Sequence, residues 1–239
     1  MIKINGRLPT RLLAGMLASL LLAPALHARS LDTDKDDVVS FIAEMHDKHG
    51  LDPEMVRTTL AQAEIKQGIL DAISKPAERA LKWFEYRPIF VTEKRISQGH
   101  EFWDTNHDLV TRIGEEYGVA PQVLVAIVGV ETYYGRITGG HRVLDALSTL
   151  AFEYPPRSKF FRKQLEEFFV LSGESGVDLL SSTGSFAGAM GSPQFIPSSF
   201  RAYAVDEDGD GRIDLWNNWQ DVIASVANYF KAHGWHQGE

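Results

Sequence analysis

No cysteine occurs in the 239-residue sequence. That absence excludes a disulfide scaffold, zinc–thiolate and iron–sulfur centres, a cysteine nucleophile and a lipid-bearing N-terminal cysteine. Basic residues are in the minority, 24 Lys and Arg against 32 Asp and Glu, for a net charge of −8. A nucleic-acid partner is therefore not expected, because binding a polyanion needs a basic face that displaces counterions. Beyond residue 28 no apolar run approaches the ~20 residues of a membrane span. Strand signals are weak, and neither strand–helix alternation nor an internal repeat is present. With 44% hydrophobic and 23% charged residues, what remains is a globular chain with enough length for one sizeable core.

The N-terminus has its own pattern. Lys3, Arg7 and Arg11 precede an apolar run from Leu12 to Leu22, and small residues follow in Ala23-Pro-Ala-Leu-His-Ala28. Residues 1–28 are expected to be a secretory signal peptide, cleaved after Ala25 or Ala28, with a retained anchor as the alternative.

The rest reads as helices. From Asp37 to Lys48, Val38, Phe41, Ile42 and Met45 form one stripe, and Gly50 ends it. Asp52-Pro53-Glu54 supplies a cap, a first-turn proline and an acidic first turn. The aromatic segment from Lys82 to Pro88 has no helical period and is expected to be irregular. Thr92 is placed to cap a long helix reaching Tyr117, with Gly118 as terminator. Pro121 opens an apolar helix expected to run through Tyr134. Further helices are expected over Arg157–Leu171 and Gln220–Ala232. The fold class is mainly α. A boundary near residue 110 is expected to separate an N-terminal helical region, 29–110, from a core, 111–239.

Glu131 is the most informative residue. It lies in Val123-Leu-Val-Ala-Ile-Val-Gly-Val-Glu131-Thr-Tyr-Tyr-Gly135, with Leu124, Ile127 and Val128 on its own helix face. Desolvation and the helix C-terminus both disfavour its charged form. A carboxyl that stays protonated suits a general acid donating to a leaving oxygen. A structural Glu paired with a buried Arg or Lys is the alternative. Downstream, Gly184-Ser-Phe-Ala-Gly-Ala-Met-Gly191-Ser-Pro-Gln-Phe-Ile-Pro-Ser-Ser199 lets backbone approach a ligand closely, and Ser185 and Gln194 add a hydroxyl and an amide. Aromatic side chains such as Trp83, Tyr86, Tyr133, Tyr134 and Tyr229 suit either a carbohydrate cleft or simple core packing. If the chemistry needs a second carboxylate, Asp145, Glu153 and Asp178 are the candidates.

Asp206-Glu-Asp208-Gly-Asp210-Gly211-Arg-Ile213-Asp214 matches the start of a calcium loop. Asp206, Asp208 and Asp210 supply side-chain oxygens, and Arg212 offers its carbonyl. Asn217 stands where a closing Glu is usual, so Asp221 is the candidate to close an EF-hand-like loop over 205–221. The expected ion is structural Ca²⁺, with Na⁺ as the alternative; a solvated acidic turn is the competing reading.

Taken together, Val130-Glu-Thr-Tyr-Tyr-Gly135, Gly188-Ala-Met-Gly-Ser-Pro-Gln-Phe195, Pro197-Ser-Ser199 and the acidic loop followed by Ser225-Val-Ala-Asn-Tyr-Phe-Lys-Ala-His-Gly-Trp235 resemble the lytic murein transglycosylase B family. The resemblance implies a lysozyme-like core and cleavage of the β-1,4 bond between N-acetylmuramic acid and N-acetylglucosamine in peptidoglycan. It implies a 1,6-anhydromuramyl end, with Glu131 acting as acid and then base. It places Ser185, Gln194, Tyr86 and Tyr229 in the sugar cleft, and Arg157 against substrate carboxylates. A hydrolytic muramidase on the same fold and a non-catalytic peptidoglycan-binding scaffold are the alternatives. The expected location is the periplasm, without a lipid anchor. Peptidoglycan strands are the expected partner, and other cell-wall proteins are admissible ones. Members of the family usually continue beyond the Ala-His-Gly-Trp segment, so this chain reads as truncated at its C-terminus.

Overall fold

The computed structural model describes residues 29–75 and 81–236; the expected signal peptide lies outside them. Ten helices run in chain order among the described residues. They are α1 Asp36–His49, α2 Pro53–Leu60, α3 Gln67–Ser74, α4 Trp83–Phe90, α5 Glu93–Tyr117, α6 Pro121–Thr132, α7 Val143–Glu153, α8 Ser158–Ser175, α9 Pro197–Tyr203 and α10 Trp219–Ala232. Two short antiparallel ribbons complete the set: β1 Arg29–Ser30 with β2 Glu64–Ile65, and β3 His141–Arg142 with β4 Thr183–Gly184. No single helix among the described residues is long and apolar enough to cross a membrane.

Local chemistry explains several helix ends. Val38, Phe41, Ile42 and Met45 bury one face of α1, and Gly50 ends it in the left-handed region at φ 67°. The Asp52 carboxylate accepts the Glu54 N–H ahead of Pro53. The Thr92 hydroxyl accepts the Arg95 N–H, and α5 then runs unbroken to Tyr117 before Gly118 at φ 71°. Residue 110 is therefore mid-helix, and one hydrophobic core joins Leu31, Phe41 and Leu60 to Val128, Leu147 and Ile223 across the expected boundary.

Three stretches depart from expectation. Residues 83–90 form a helix: the Glu85 carboxylate accepts the Lys82 N–H, and Pro88 sits inside a helix that buries no side chain. A proline there costs little because the orphaned carbonyl of an exposed helix meets water. Helix α6 ends at Thr132, two residues early, because Tyr133 and Tyr134 take left-handed φ values of 56° and 59°. Helix α7 carries no sequence signal because Val143 to Ala151 is buried on every side. A helix without a solvent face has no polar stripe to reveal its period.

Candidate active site

A cavity of about 250 Å³ opens where α6, the 188–196 loop, α9 and α10 meet. Ile127 and Glu131 line it from α6, and Pro193, Gln194, Phe195 and Ile196 from the loop. Ser199, Val226, Tyr229 and Phe230 close the remaining sides. Glu131 does not share the core with Leu124 and Val128, which are fully buried. It points out of the same face one turn later, so its carboxyl is solvent-accessible through the cavity. Burial against the apolar wall still raises its pKa above the ordinary Glu value, and no neighbouring cation opposes the shift among the described residues. The alternative of a Glu paired with a buried Arg or Lys is not what the structure shows.

The opposite wall is built by backbone geometry. Gly188 at φ 80° lies against the Leu147 side chain, and Gly191 at φ 65° against the Leu215 carbonyl, so a Cβ at either position collides. Gln194 is itself left-handed at φ 54°. Its amide N–H groups donate to the Thr138 and Gly191 carbonyls, both at 3.0 Å. With both donors spent on the backbone, the amide carbonyl is the group Gln194 has left for a ligand. Tyr229 stacks on His233 at 4.0 Å between ring centres and tilts against Phe195 at 5.8 Å.

The structure thus gathers Glu131, Gln194 and Tyr229 around one cavity. It does not bring the other expected substrate contacts into that lining. The Ser185 hydroxyl accepts the Ala187 and Ala189 N–H groups and shapes the loop from within. Tyr86 sits on α4 beside Phe90, 4.9 Å between centres. Exposed Arg157 lies over the Phe160 ring at 4.4 Å. The apolar lining was not legible as a site. Val226 and Phe230 belong to the stripe of α10, and only the fold shows that this stripe runs past the core into an opening.

None of the three candidate second carboxylates lines the cavity. Asp145 is buried, accepts the Glu64 N–H at 2.8 Å and pairs with Arg142 at 2.6 Å, which fastens β2 to α7. Glu153 pairs with Lys35 and Arg29, which hold its pKa below the usual range against the effect of burial. Asp178 caps a turn by accepting the Leu180 and Ser181 N–H groups. Among the described residues, Glu131 is the one carboxyl that lines the cavity.

The acidic loop is also formed. Asp206, Asp208 and Asp210 each bring a carboxylate oxygen within 4.8 Å of the others. The Asp206 carboxylate accepts the N–H groups of Gly209, Asp210 and Gly211, and Asp210 accepts that of Arg212. Asp221 stands outside this trio. Fully buried at the start of α10, it accepts the Glu207 N–H at 2.9 Å and the Asp214 N–H at 2.8 Å. Burial raises its pKa, the two N–H bonds oppose that, and the negative charges of Asp208 and Asp206 add to it. Asp221 thus staples the loop to the start of α10. Hard oxygens and excess negative charge in the trio fit a divalent cation.

Residues 33–239 match the family model described as the Transglycosylase SLT domain. The chain belongs to the SLT transglycosylase family. Membrane-bound lytic murein transglycosylase B of Escherichia coli (strain K12) is 43% identical over 208 residues, covering 83% of this chain and 57% of the relative. The SLT chain therefore spans somewhat over half the length of that relative. A catenated lytic transglycosylase of Pseudomonas aeruginosa superposes with a TM-score of 0.84 at 55% identity, over 86% of this chain and 67% of its own. An Escherichia coli lytic transglycosylase in complex with calcium gives 0.81 at 42%, over 89% and 68%. SltB3 of Pseudomonas aeruginosa in complex with NAG-anhNAM-pentapeptide gives 0.78 at 31%, over 84% and 53%. The mainly α, lysozyme-like fold expected for an SLT transglycosylase is the fold found.

Proposed function

We propose that this SLT transglycosylase is a peptidoglycan lytic transglycosylase that cleaves the MurNAc–GlcNAc β-1,4 bond and leaves a 1,6-anhydromuramyl end. The observation that carries the reading is a sugar-sized cleft with one carboxyl, Glu131, whose pKa is raised and whose candidate partners are all engaged elsewhere. A double-displacement or inverting hydrolase needs a second carboxylate within ~5–9.5 Å of the first. One carboxyl can instead serve twice. The neutral Glu131 gives its proton to the glycosidic oxygen as the C1–O bond breaks toward the leaving sugar. The resulting carboxylate takes the proton of the muramyl 6-hydroxyl as that oxygen bonds to C1. No water is consumed, so the product is lighter by one water than a hydrolysis product. Gln194 and Tyr229 fit as a carbonyl acceptor and a stacking face for the sugar. Ser185, Tyr86 and Arg157 are retained as contacts to more distant parts of the glycan and its peptides. Peptidoglycan as substrate accords with the murein transglycosylase relative and with the glycopeptide bound by SltB3; export to the periplasm behind a cleaved 1–28 signal rests on the N-terminal sequence pattern.

Mass spectrometry of the soluble products from purified peptidoglycan tests the reading. Muropeptides lighter by one water are the expected result. Ordinary reducing ends would instead mean a muramidase, and release of nothing would mean a binding scaffold.

The acidic loop is proposed to hold structural calcium through Asp206, Asp208, Asp210 and the Arg212 carbonyl, with Asp221 closing the loop; a relative's complex with calcium supports this. Calcium at a hundredfold excess over its Kd is expected to raise the melting temperature by ~5–10 °C, reversed by chelator. An Asp208→Ala, Asp210→Ala variant should show no such shift. A parent chain indifferent to calcium would refute the site.

A further inference from the structure

Glu131 is the penultimate residue of α6, and the residue after it ties the helix end to the facing wall. Thr132 is 1% exposed. Its hydroxyl donates to the Ser192 carbonyl at 2.8 Å and accepts the Gly135 N–H at 3.1 Å. Ser192 immediately precedes Pro193, Gln194, Phe195 and Ile196, the loop side of the cavity. One buried hydroxyl thus bridges the segment that carries the carboxyl and the segment that faces it.

The bridge sits where regular helix bonding has ended. Tyr133, Tyr134 and Gly135 are all left-handed, at φ 56°, 59° and 76°. Left-handed residues other than glycine persist only where their surroundings hold them. Tyr134 is held on the α5 side: its side chain fills a slot against Gly99 and Gly129, where an added Cβ would lie 2.5 Å from the hydroxyl and 2.7 Å from the ring. Its hydroxyl donates to the Arg95 carbonyl at 3.2 Å. Thr132 holds the same turn on the loop side.

We infer that Thr132 is a positioning residue that sets the separation between the Glu131 carboxyl and the Gln194–Ile196 wall. This rests on the reading of Glu131 as the acid. Thr132 acts through the backbone of its neighbour and does not line the cavity. Without the hydroxyl, the Ser192 carbonyl loses its donor and the helix end is free to drift from the loop. The groups that hold the sugar stay in place, so the loss falls on the chemical step.

The test compares Thr132→Val, which keeps the shape and loses the hydroxyl, with Thr132→Ser, which keeps the hydroxyl. Both are made in the full chain and assayed on soluble strands of alternating N-acetylglucosamine and N-acetylmuramic acid. For Thr132→Val, kcat is expected to fall roughly 10- to 100-fold with KM unchanged, as a displacement near 1 Å produces. Thr132→Ser should return kcat close to the parent value. Parental kcat in Thr132→Val, equal losses in both variants, or a loss carried by KM overturns the assignment. Thr132→Ala is measured if Thr132→Val does not fold. Should both fail to fold while Thr132→Ser folds, the hydroxyl serves stability and the assignment is again overturned. Glu131→Gln is run beside them: cleavage by that variant sinks the acid reading itself, whereas a dead Glu131→Gln with a parental Thr132→Val sinks the positioning role alone.

Discussion

Replacing Glu131 with Gln is expected to slow glycan cleavage by roughly 10²–10⁴-fold, the range for loss of a general acid. Gln keeps the size of the side chain and cannot give up a proton to the leaving oxygen. Binding to peptidoglycan should persist, because Gln194 and Tyr229 are untouched on the other walls. The pH profile follows from the same burial. Glu131 is held above its ordinary pKa of 4.5, so the protonated, donating form survives to higher pH than an exposed Glu allows. Cleavage should be sustained through that window and fall as pH rises past the raised value. Stability carries the same sign. A carboxyl whose folded pKa is raised contributes below its unfolded pKa, and that contribution is lost as pH rises through the folded one. The melting temperature of the parent relative to Glu131→Gln should therefore decline above pH 4.5. Two measurements decide: sacculus digestion by both proteins, and melting of both across acid to neutral pH. Undiminished digestion by Glu131→Gln would remove Glu131 from the mechanism.

Asp221→Ala is expected to destabilise the protein by about 3 kcal/mol, since two loop N–H groups lose their acceptor inside the protein. For a domain of this size that corresponds to a melting point lower by ~6–12 °C. The carboxylate is fully buried, and it joins Glu207 and Asp214 of the acidic loop to the first turn of α10. Ser225 adds a second link by accepting the Val205 N–H at 2.9 Å. Helix α10 also carries Tyr229 and Phe230 into the cavity, so the loop braces one wall of the site. Asp221→Asn keeps one acceptor and should lose about half as much. Melting is compared in chelator, which separates the staple from any bound ion. A drop below about 1 kcal/mol for Asp221→Ala would mean that water replaces the carboxylate freely.

Much of the site was readable one element at a time. The Glu131 segment stood out because a lone acid in an apolar helix is physically costly. Spacing alone places it with Leu124 and Val128, deeper than it lies in the fold. The acidic loop was readable because alternate Asp residues and two glycines are needed to wrap a cation. By sequence Asp221 is the acid at hand to close that loop. The fold adds that its two oxygens each accept a backbone N–H, a tie set by its burial. Gln194 was found by its neighbouring glycines, but which end of its amide is free depends on carbonyls at Thr138 and Gly191.

By itself the sequence determined the mainly α class, the capped starts of α2 and α5, the glycine ends of α1 and α5, and the singular position of Glu131. These follow from interactions within a few residues, so they are written locally. Tertiary structure alone decided that α6 stops at Thr132, that α7 is a helix at all, and that Glu131 meets Gln194 and Tyr229 while Asp145, Glu153 and Asp178 do not. Those outcomes depend on burial and on hydrogen bonds between residues far apart in the chain, such as Thr132 to Ser192 and Glu64 to Asp145. Periodicity does not encode such contacts, because a buried polar group takes whichever partner the packed chain brings within reach.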